Sequence, residues 1–373
     1  MTHLESAADT SPLPHPSQLE IKDFNTYALV IDARSPHEYE EDHLPGAVNL
    51  PVVDDEEFAE VGIKYKQDPH AAYLIGAEYS LRNISRHISQ LLRDHKKADR
   101  MLVYCFRGGK RSKVWADNLR LIGFDVDVLP GGWKNYRSWV RASLEALPRY
   151  FQFRVLSGPT GCGKTRLLQA LAGTGQQVLD LEAIAAHRGS LLGAVPDEPQ
   201  PSQKFFDTLL LDTLRAFDPS RPVWLEAESK KIGNLQLPEA LHAAMHSVAP
   251  LRVSAPMHER VRLLREDYAH FAANPLAMVE KLAPLKPLVG GEELALWHSL
   301  AAAKQVDALF ERVMRKHYDP CYERSTSRSY EAASSGPCIE LPSLAAEQLT
   351  AAASELAMRF GSRSQDEAGP EAR

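Results

Sequence analysis

Short apolar runs of strand length alternate along the chain with longer segments whose apolar residues recur at helical spacing. Residues 27–32, 101–104 and 126–129 are such runs, and residues 42–51 form a loop leading to a further short strand. Between them, a turn at 33–39 enters a short helix, and 71–97 and 112–122 read as amphipathic helices. The alternation resumes with strands at 151–157, 177–182 and 222–226 and a helix at 166–172. A strand end at 252–254 precedes a helix at 256–268, and 276–314 continues as helices. Strands alternating with helices predict an α/β fold built on parallel sheets. Two domains are expected, 18–147 and 148–360, the second with a helical C-terminal part. The polar segments 1–17 and 361–373 are expected to be disordered.

Composition changes this picture little. A chain of 373 residues can bury two cores, and its apolar and charged fractions are ordinary for globular proteins. No run approaches the roughly eighteen apolar residues of a membrane span. The first residues lack a basic and apolar leader, so a cytoplasmic location is expected. Cys105, Cys162, Cys321 and Cys338 lack metal-ligand spacing, which fits a reducing compartment and neither a disulfide scaffold nor a zinc site. The net charge of −6 gives no ground of its own for a nucleic-acid partner, although it can hide a local basic face.

Two loops carry the candidate chemistry. In the first, Cys105 follows a buried strand and precedes a helix, so backbone N–H groups and the helix dipole point at its sulfur. Arg107, Lys110 and Arg111 add positive charge. Such a setting favours a thiolate and cradles an anion. In the second, Gly158-Pro-Thr-Gly161-Cys162-Gly163-Lys164-Thr165 lies between a strand and a helix and matches the phosphate loop in its proper context. The glycines let N–H groups wrap a diphosphate, Lys164 supplies a point charge, and Thr165 can reach a Mg²⁺. Cys162 reads as a small spacer within this loop. Acids at strand ends, Asp180, Glu226 and Glu228, are candidates to support Mg²⁺ or its waters, Glu226 first because it directly follows an apolar run. Pairing of these acids with Lys230 or Lys231 is the competing role. His187 and Arg188 are candidate substrate contacts. Arginines at helical spacing in 256–268 suit either an RNA backbone groove or a solvated face shared with Glu259, Glu266 and Asp267.

Four motifs in register carry a resemblance. Asp32-Ala-Arg-Ser-Pro-His-Glu-Tyr39, Asp42-His-Leu-Pro-Gly-Ala-Val-Asn49, the Cys105 loop and Leu129-Pro-Gly-Gly-Trp133 resemble a rhodanese domain, which implies a chalcogen-carrying Cys105. Five residues separate Cys105 from Arg111, one more than in the common sulfurtransferase loop. That wider loop resembles the rhodanese-like phosphatases, although Tyr104 stands where those place His. Fused to a P-loop NTPase-like domain bearing Leu179-Asp-Leu-Glu182, His187-Arg-Gly-Ser190 and Glu226-x-Glu228-Ser229, the chain resembles the tRNA 2-selenouridine synthase family.

That resemblance implies a transferase that converts wobble 2-thiouridine to 2-selenouridine through an S-geranyl intermediate. It implies selenophosphate and geranyl diphosphate as substrates, with Mg²⁺ held by Thr165 and Glu226 and no tightly bound cofactor. The implied partners are tRNAs for Lys, Glu and Gln and a selenophosphate-producing enzyme. It assigns the selenium step to Cys105, Arg107 and Arg111, and the diphosphate to Gly158, Gly161, Cys162, Gly163, Lys164 and Thr165. Asp180, His187, Arg188, Glu226, Glu228 and Lys230 stand as supporting or substrate-contacting residues. An ATP-dependent tRNA sulfurtransferase, a rhodanese-like phosphatase and a non-catalytic binding module are the alternatives.

Overall fold

The computed structural model describes residues 23–91, 95–329 and 336–361. The segments 1–17 and 362–373, expected to be disordered, lie outside the described residues. The chain divides into two compact units: Ser11–Ala146 with Pro201–Asp212, and Leu147–Gln200 with the chain from Thr213 onward. Residues 201–212 belong by sequence position to the second domain but pack within the first unit.

In the first unit, the parallel strands β1 (Leu29–Asp32), β2 (Val48–Asn49), β3 (Arg100–Tyr104) and β4 (Asp125–Val128) lie in the order β2-β1-β3-β4. Helices α1 (Pro36–Glu41), α2 (Asp55–Gln67), α3 (Pro69–Leu91), α4 (Lys110–Ile122) and α5 (Gly132–Ala146) connect and follow them. Ile31, Met101, Val103, Trp115 and Leu119 fill the core between sheet and helices. Helix α2 is absent from the expectations above, although its start has a sequence signal. Asp54 accepts from the Glu57 N–H at 2.8 Å while the Glu57 carboxylate accepts from the Asp54 N–H at 3.0 Å. This reciprocal pair satisfies two otherwise orphaned donors of the first turn.

In the second unit, β5 (Phe153–Ser157) runs into α6 (Lys164–Gly173), β6 (Gln177–Val178) into the short α7 (Leu181–Ile184). After α8 (Gln203–Arg215) come β7 (Val223–Glu226), the antiparallel pair β8 (Lys231–Ile232) and β9 (Leu235–Gln236), α9 (Glu239–His246), β10 (Leu251–Ser254) and α10 (Met257–Asp267). With β11 (Cys338–Glu340), the main sheet is parallel in the order β11-β10-β5-β7-β6. Leu156, Leu167, Trp224, Val253 and Leu356 form its core. Helices between Ala269 and Val313 close a second apolar cluster around Met278, Trp297 and Phe310.

The fold is thus mixed α/β with parallel sheets and a helical C-terminal part. Both candidate loops leave the carboxyl ends of inner strands, β3 and β5, where helix N-termini converge and ligands bind in open parallel sheets. Among the described residues, no helix is long and apolar enough to cross a membrane.

Candidate functional site

The cysteine loop is laced from below. Cys105 is 3% exposed at the end of β3, and its Sγ accepts the Gly109 N–H at 3.2 Å and lies 3.3 Å from Ser112 Oγ. The Trp133 N–H donates to the Cys105 carbonyl and the Lys134 N–H to the Phe106 carbonyl, both at 2.9 Å. Gly132 makes this lacing possible. It sits at φ +59°, and a Cβ there would lie 2.3 Å from the Cys105 carbonyl oxygen and 2.5 Å from the Gly108 nitrogen. Helix α4 starts at Lys110, two residues before the sequence expectation, so Arg111 and Ser112 stand in its first turn. The open N–H groups of that turn face the loop.

The first two rhodanese-like motifs serve as scaffold. The Asp32 carboxylate binds the Arg34 guanidinium at 2.6 Å in a fully buried pair. Arg34 also donates to the Asp42 carbonyl at 2.5 Å, and its guanidinium lies over the Tyr104 and Trp133 rings. The buried Asp42 carboxylate accepts from Trp133 Nε1 and Thr208 Oγ1, each at 2.8 Å. Burial raises the Asp42 carboxyl, against the opposing pull of Arg137. Arg107 is exposed beside the Phe106 ring. Arg111 donates to Glu38 at 2.5 and 3.2 Å, so part of its charge is spent on a protein partner.

The second site is built on the β5–α6 loop. Gly163 holds φ +88°, where a Cβ would lie 2.7 Å from Leu344 Cδ2, and so turns the loop into α6. Lys164 Nζ donates to the Gly158 carbonyl at 3.0 Å and lies 3.8 Å from Glu226 Oε2. Thr165 Oγ1 donates to Glu226 Oε1 at 2.5 Å. Gly158, Gly161, Gly163, Lys164 and Thr165 line a cavity of about 760 Å³, a volume suited to a small-molecule ligand. Leu264, Tyr268, Tyr318 and Tyr322 also line it and add apolar surface.

Glu182, Glu226 and Glu228 meet at this cavity, with one oxygen of each within 4.8 Å of the others. Burial first, then the charges of the neighbouring carboxylates, push Glu182 up to about 9 and Glu228 up to about 8. Burial also raises Glu226, against Lys164 and the Thr165 hydrogen bond. One ammonium cannot balance three carboxylates, so the cluster holds protons at neutral pH or takes a cation. Its donors are all oxygen, as a hard divalent ion requires. Thr165 and Glu226 therefore fit the Mg²⁺ expected of them, with Glu182 and Glu228 beside them.

The other expected residues are distributed unevenly. His187 and Arg188 line the cavity. The His187 ring is lowered by burial, and its Nδ1 accepts the Gly189 N–H at 3.1 Å. Arg188 lies over the Tyr268 ring at 5.0 Å and donates to the Asp267 carbonyl. Asp180 spends its carboxylate capping α7, accepting from the Ala183 N–H at 2.9 Å. The acid delivered to the cluster from this turn is Glu182, two residues on, and the cap signature of Asp180 was the signal that could have shown it. Cys162 is fully buried under the loop, its thiol raised by burial, so only its backbone can face a ligand. Lys230 is not brought to the cavity and pairs with Glu239 instead.

The helix 257–267 arginines follow the ion-pairing option. Arg262 binds Glu259 at 2.6 Å and Arg265 binds Asp307 at 3.0 Å. Arg260 follows neither reading of the helix arginines, since it is buried. It is 5% exposed, donates from Nε to the Thr160 carbonyl at 2.9 Å, and binds Asp319 at 2.5 Å. It thereby ties the phosphate loop to the π-helical turn Met314–Tyr318 and the helix after it.

Comparison with known proteins matches both domain types. Residues 17–138 match the rhodanese-like domain model, and residues 151–283 match the model described as the tRNA 2-selenouridine synthase AAA domain. The tRNA 2-selenouridine synthase of Nitrosomonas europaea is 35% identical over 263 residues, covering 69% of this chain and 67% of its own length. This chain belongs to the tRNA 2-selenouridine synthase family. Family members so named from Hydrogenovibrio crunogenus and Cupriavidus necator are each 31% identical, and the alignments cover 83% and 90% of their lengths. Among solved structures, the N-terminal domain of a Clostridium difficile 630 protein is 35% identical over 30% of this chain and 88% of its own, at a TM-score of 0.28.

Proposed function

We propose that this chain is a tRNA-modifying transferase that converts wobble 2-thiouridine to 2-selenouridine in two steps, with geranyl diphosphate and selenophosphate as co-substrates. In the first step the thiocarbonyl sulfur attacks C1 of the geranyl group. A C–S bond forms, the C–O bond breaks, and diphosphate leaves while the base loses its N3 proton. In the second step the selenium of selenophosphate bonds to C2 of the base. The C2–S bond breaks and geranyl thiol departs, and water takes the phosphoryl group from selenium as phosphate.

The observation that carries this proposal is the union, in one chain, of a thiol in an oxyanion cradle and a phosphate loop opening on a cavity with apolar surface in its lining. A thiocarbonyl sulfur is a poor leaving group, and alkylation makes it a better one, so one hard step becomes two easier ones. The departing diphosphate requires charge stabilisation, which Lys164 and the loop N–H groups supply; Thr165 and Glu226 would hold a Mg²⁺ that would add to it. Selenophosphate is a tetrahedral oxyanion, the class of ligand that the resemblance of the wider Cys105 loop to phosphatase loops suggests. A tRNA substrate accords with the relatives' names, and the tRNAs for Lys, Glu and Gln are the ones proposed.

The test is mass spectrometry of wobble nucleosides after incubating the protein with thiolated tRNA, geranyl diphosphate and selenophosphate, each omitted in turn. Cys105→Ser is expected to abolish selenation and leave geranylation, and Lys164→Ala to remove geranylation first. Equal loss of both steps in Cys105→Ser overturns the division of labour. Nucleotide turnover without a prenylated product would favour the ATP-dependent sulfurtransferase instead.

A further inference from the structure

Beside the cysteine loop, helices α2 and α3 leave a strip of aromatic rings uncovered. Phe58, Tyr65 and Tyr73 are 45%, 49% and 46% exposed. The Tyr65 and Tyr73 rings meet edge to face with centroids 5.7 Å apart. Lys110 Nζ lies 3.2 Å from the centroid of Tyr73, and the Arg111 guanidinium lies 5.2 Å from that of Phe58. Lys110 and Arg111 are the first two residues of α4, so the strip is continuous with the loop that carries Cys105. Three half-exposed rings joined by two cations are costly to leave in water and rarely lack a partner.

Several of the acids nearby have protein partners. Glu57 binds Arg82 and accepts from Asn83 at 2.7 Å, and Glu60 accepts from the Tyr79 hydroxyl at 2.7 Å. Asp55 accepts the His37 N–H at 3.1 Å, and Glu38 is taken by Arg111. Lys64 and Lys66 flank Tyr65 in the last turn of α2. The Tyr65 and Tyr73 end of the strip therefore carries Lys110 on its ring face and Lys64 and Lys66 beside it, which suits a polyanion carrying flat faces.

We propose that this strip is a stacking platform for unpaired nucleobases of an RNA loop, seating the neighbours of the base presented to Cys105. The proposal rests on the RNA-modifying function proposed above. A base modified at C2 must leave its stack, and its neighbours then lose a stacking partner. Aromatic faces replace that partner without regard to sequence, and bordering cations strengthen the contact.

Fluorescence anisotropy with full-length protein tests the platform, using an anticodon stem-loop RNA and a fully paired RNA of the same length. Phe58→Ala and Tyr73→Ala are each expected to weaken stem-loop binding by roughly tenfold, leave duplex binding unchanged, and keep the wild-type salt dependence, since no phosphate contact is removed. Tyr73→Phe keeps the ring face and is expected to bind as wild type does. Thermal melts of the variants establish that they fold. Wild-type affinity in both alanine variants, with wild type still preferring the stem-loop, overturns the platform and leaves the tRNA function standing. Failure of wild type to bind either RNA overturns both. A wild-type dimer that the alanine variants dissociate, with RNA affinity unchanged, reassigns the strip to self-association and overturns the proposal.

Discussion

Lys164 faces three carboxylates, and this imbalance gives the phosphate-loop cavity a pH-dependent character of its own. Folded Glu182 and Glu228 bind protons far more tightly than an unfolded glutamate of pKa 4.5. Between about pH 5 and 9 the folded chain therefore holds more protons than the unfolded one, and stability falls as pH rises. The melting temperature is expected to drop between pH 6 and 9, and Mg²⁺ to restore it more at pH 9, where protons no longer compete. Glu182→Gln with Glu228→Gln should flatten both responses. A melting temperature equally indifferent to Mg²⁺ at both pH values would sink the assignment. Sequence alone pointed to Glu226 and Glu228, because an acid ending an apolar strand is visible locally. It passed over Glu182, since which of two acids caps a turn and which faces inward depends on where α7 starts.

At the scale of elements, the cysteine loop is held by the turn into α5. Gly132→Ala places a methyl against the Cys105 carbonyl oxygen and strains a positive φ, and is expected to cost more than about 2 kcal/mol in urea unfolding. The loop would then shift, and alkylation of Cys105 should change rate in whatever fraction stays folded. Asp42→Ala removes a buried carboxylate that satisfies Trp133 and Thr208 and faces Arg137 at 3.5 Å. Arg137 keeps Asp207 at 2.9 Å, so the loss is that of the acceptors for the buried Trp133 and Thr208 donors and is expected to cost about 1–3 kcal/mol. Asp42→Asn retains one acceptor oxygen, enough for Trp133, while its amide N–H can donate to Thr208 Oγ1, and should cost less. An unfolding midpoint unchanged in Asp42→Ala would remove the scaffold role. The strands and most helices were legible from periodicity, because one buried face or two leave a local mark. Helix α2 was overlooked because its capping box, Asp54 to Glu57, lies inside an acidic run that reads as solvated surface.

For the whole molecule, burial sorts the four thiols in a way that spacing could not. Cys338 is exposed, Cys321 half-buried, and Cys162 and Cys105 buried, all of them free. A thiol reagent applied to native protein is expected to modify Cys338 first and Cys162 only after unfolding, as peptide mass mapping would show. Early labelling of Cys162 would mean that the phosphate loop opens or is packed differently. Modification of Cys105 ahead of its burial rank would reflect its place on the loop, where the Gly109 N–H is aimed at its sulfur.

The sequence by itself determined the two parallel α/β units, the strand-to-helix setting of Cys105 and the phosphate loop, because each is written in contiguous residues with local periodicity. Tertiary structure decided which charges reach a site and which are spent elsewhere. Arg111 is taken by Glu38, Lys230 by Glu239, and Arg260 is drawn under the phosphate loop by Asp319, 59 residues away. It also returned residues 201–212 to the first unit, where Thr208 completes the buried shell of Asp42. Pairings across such separations follow from chain packing, and no periodicity along the chain encodes them.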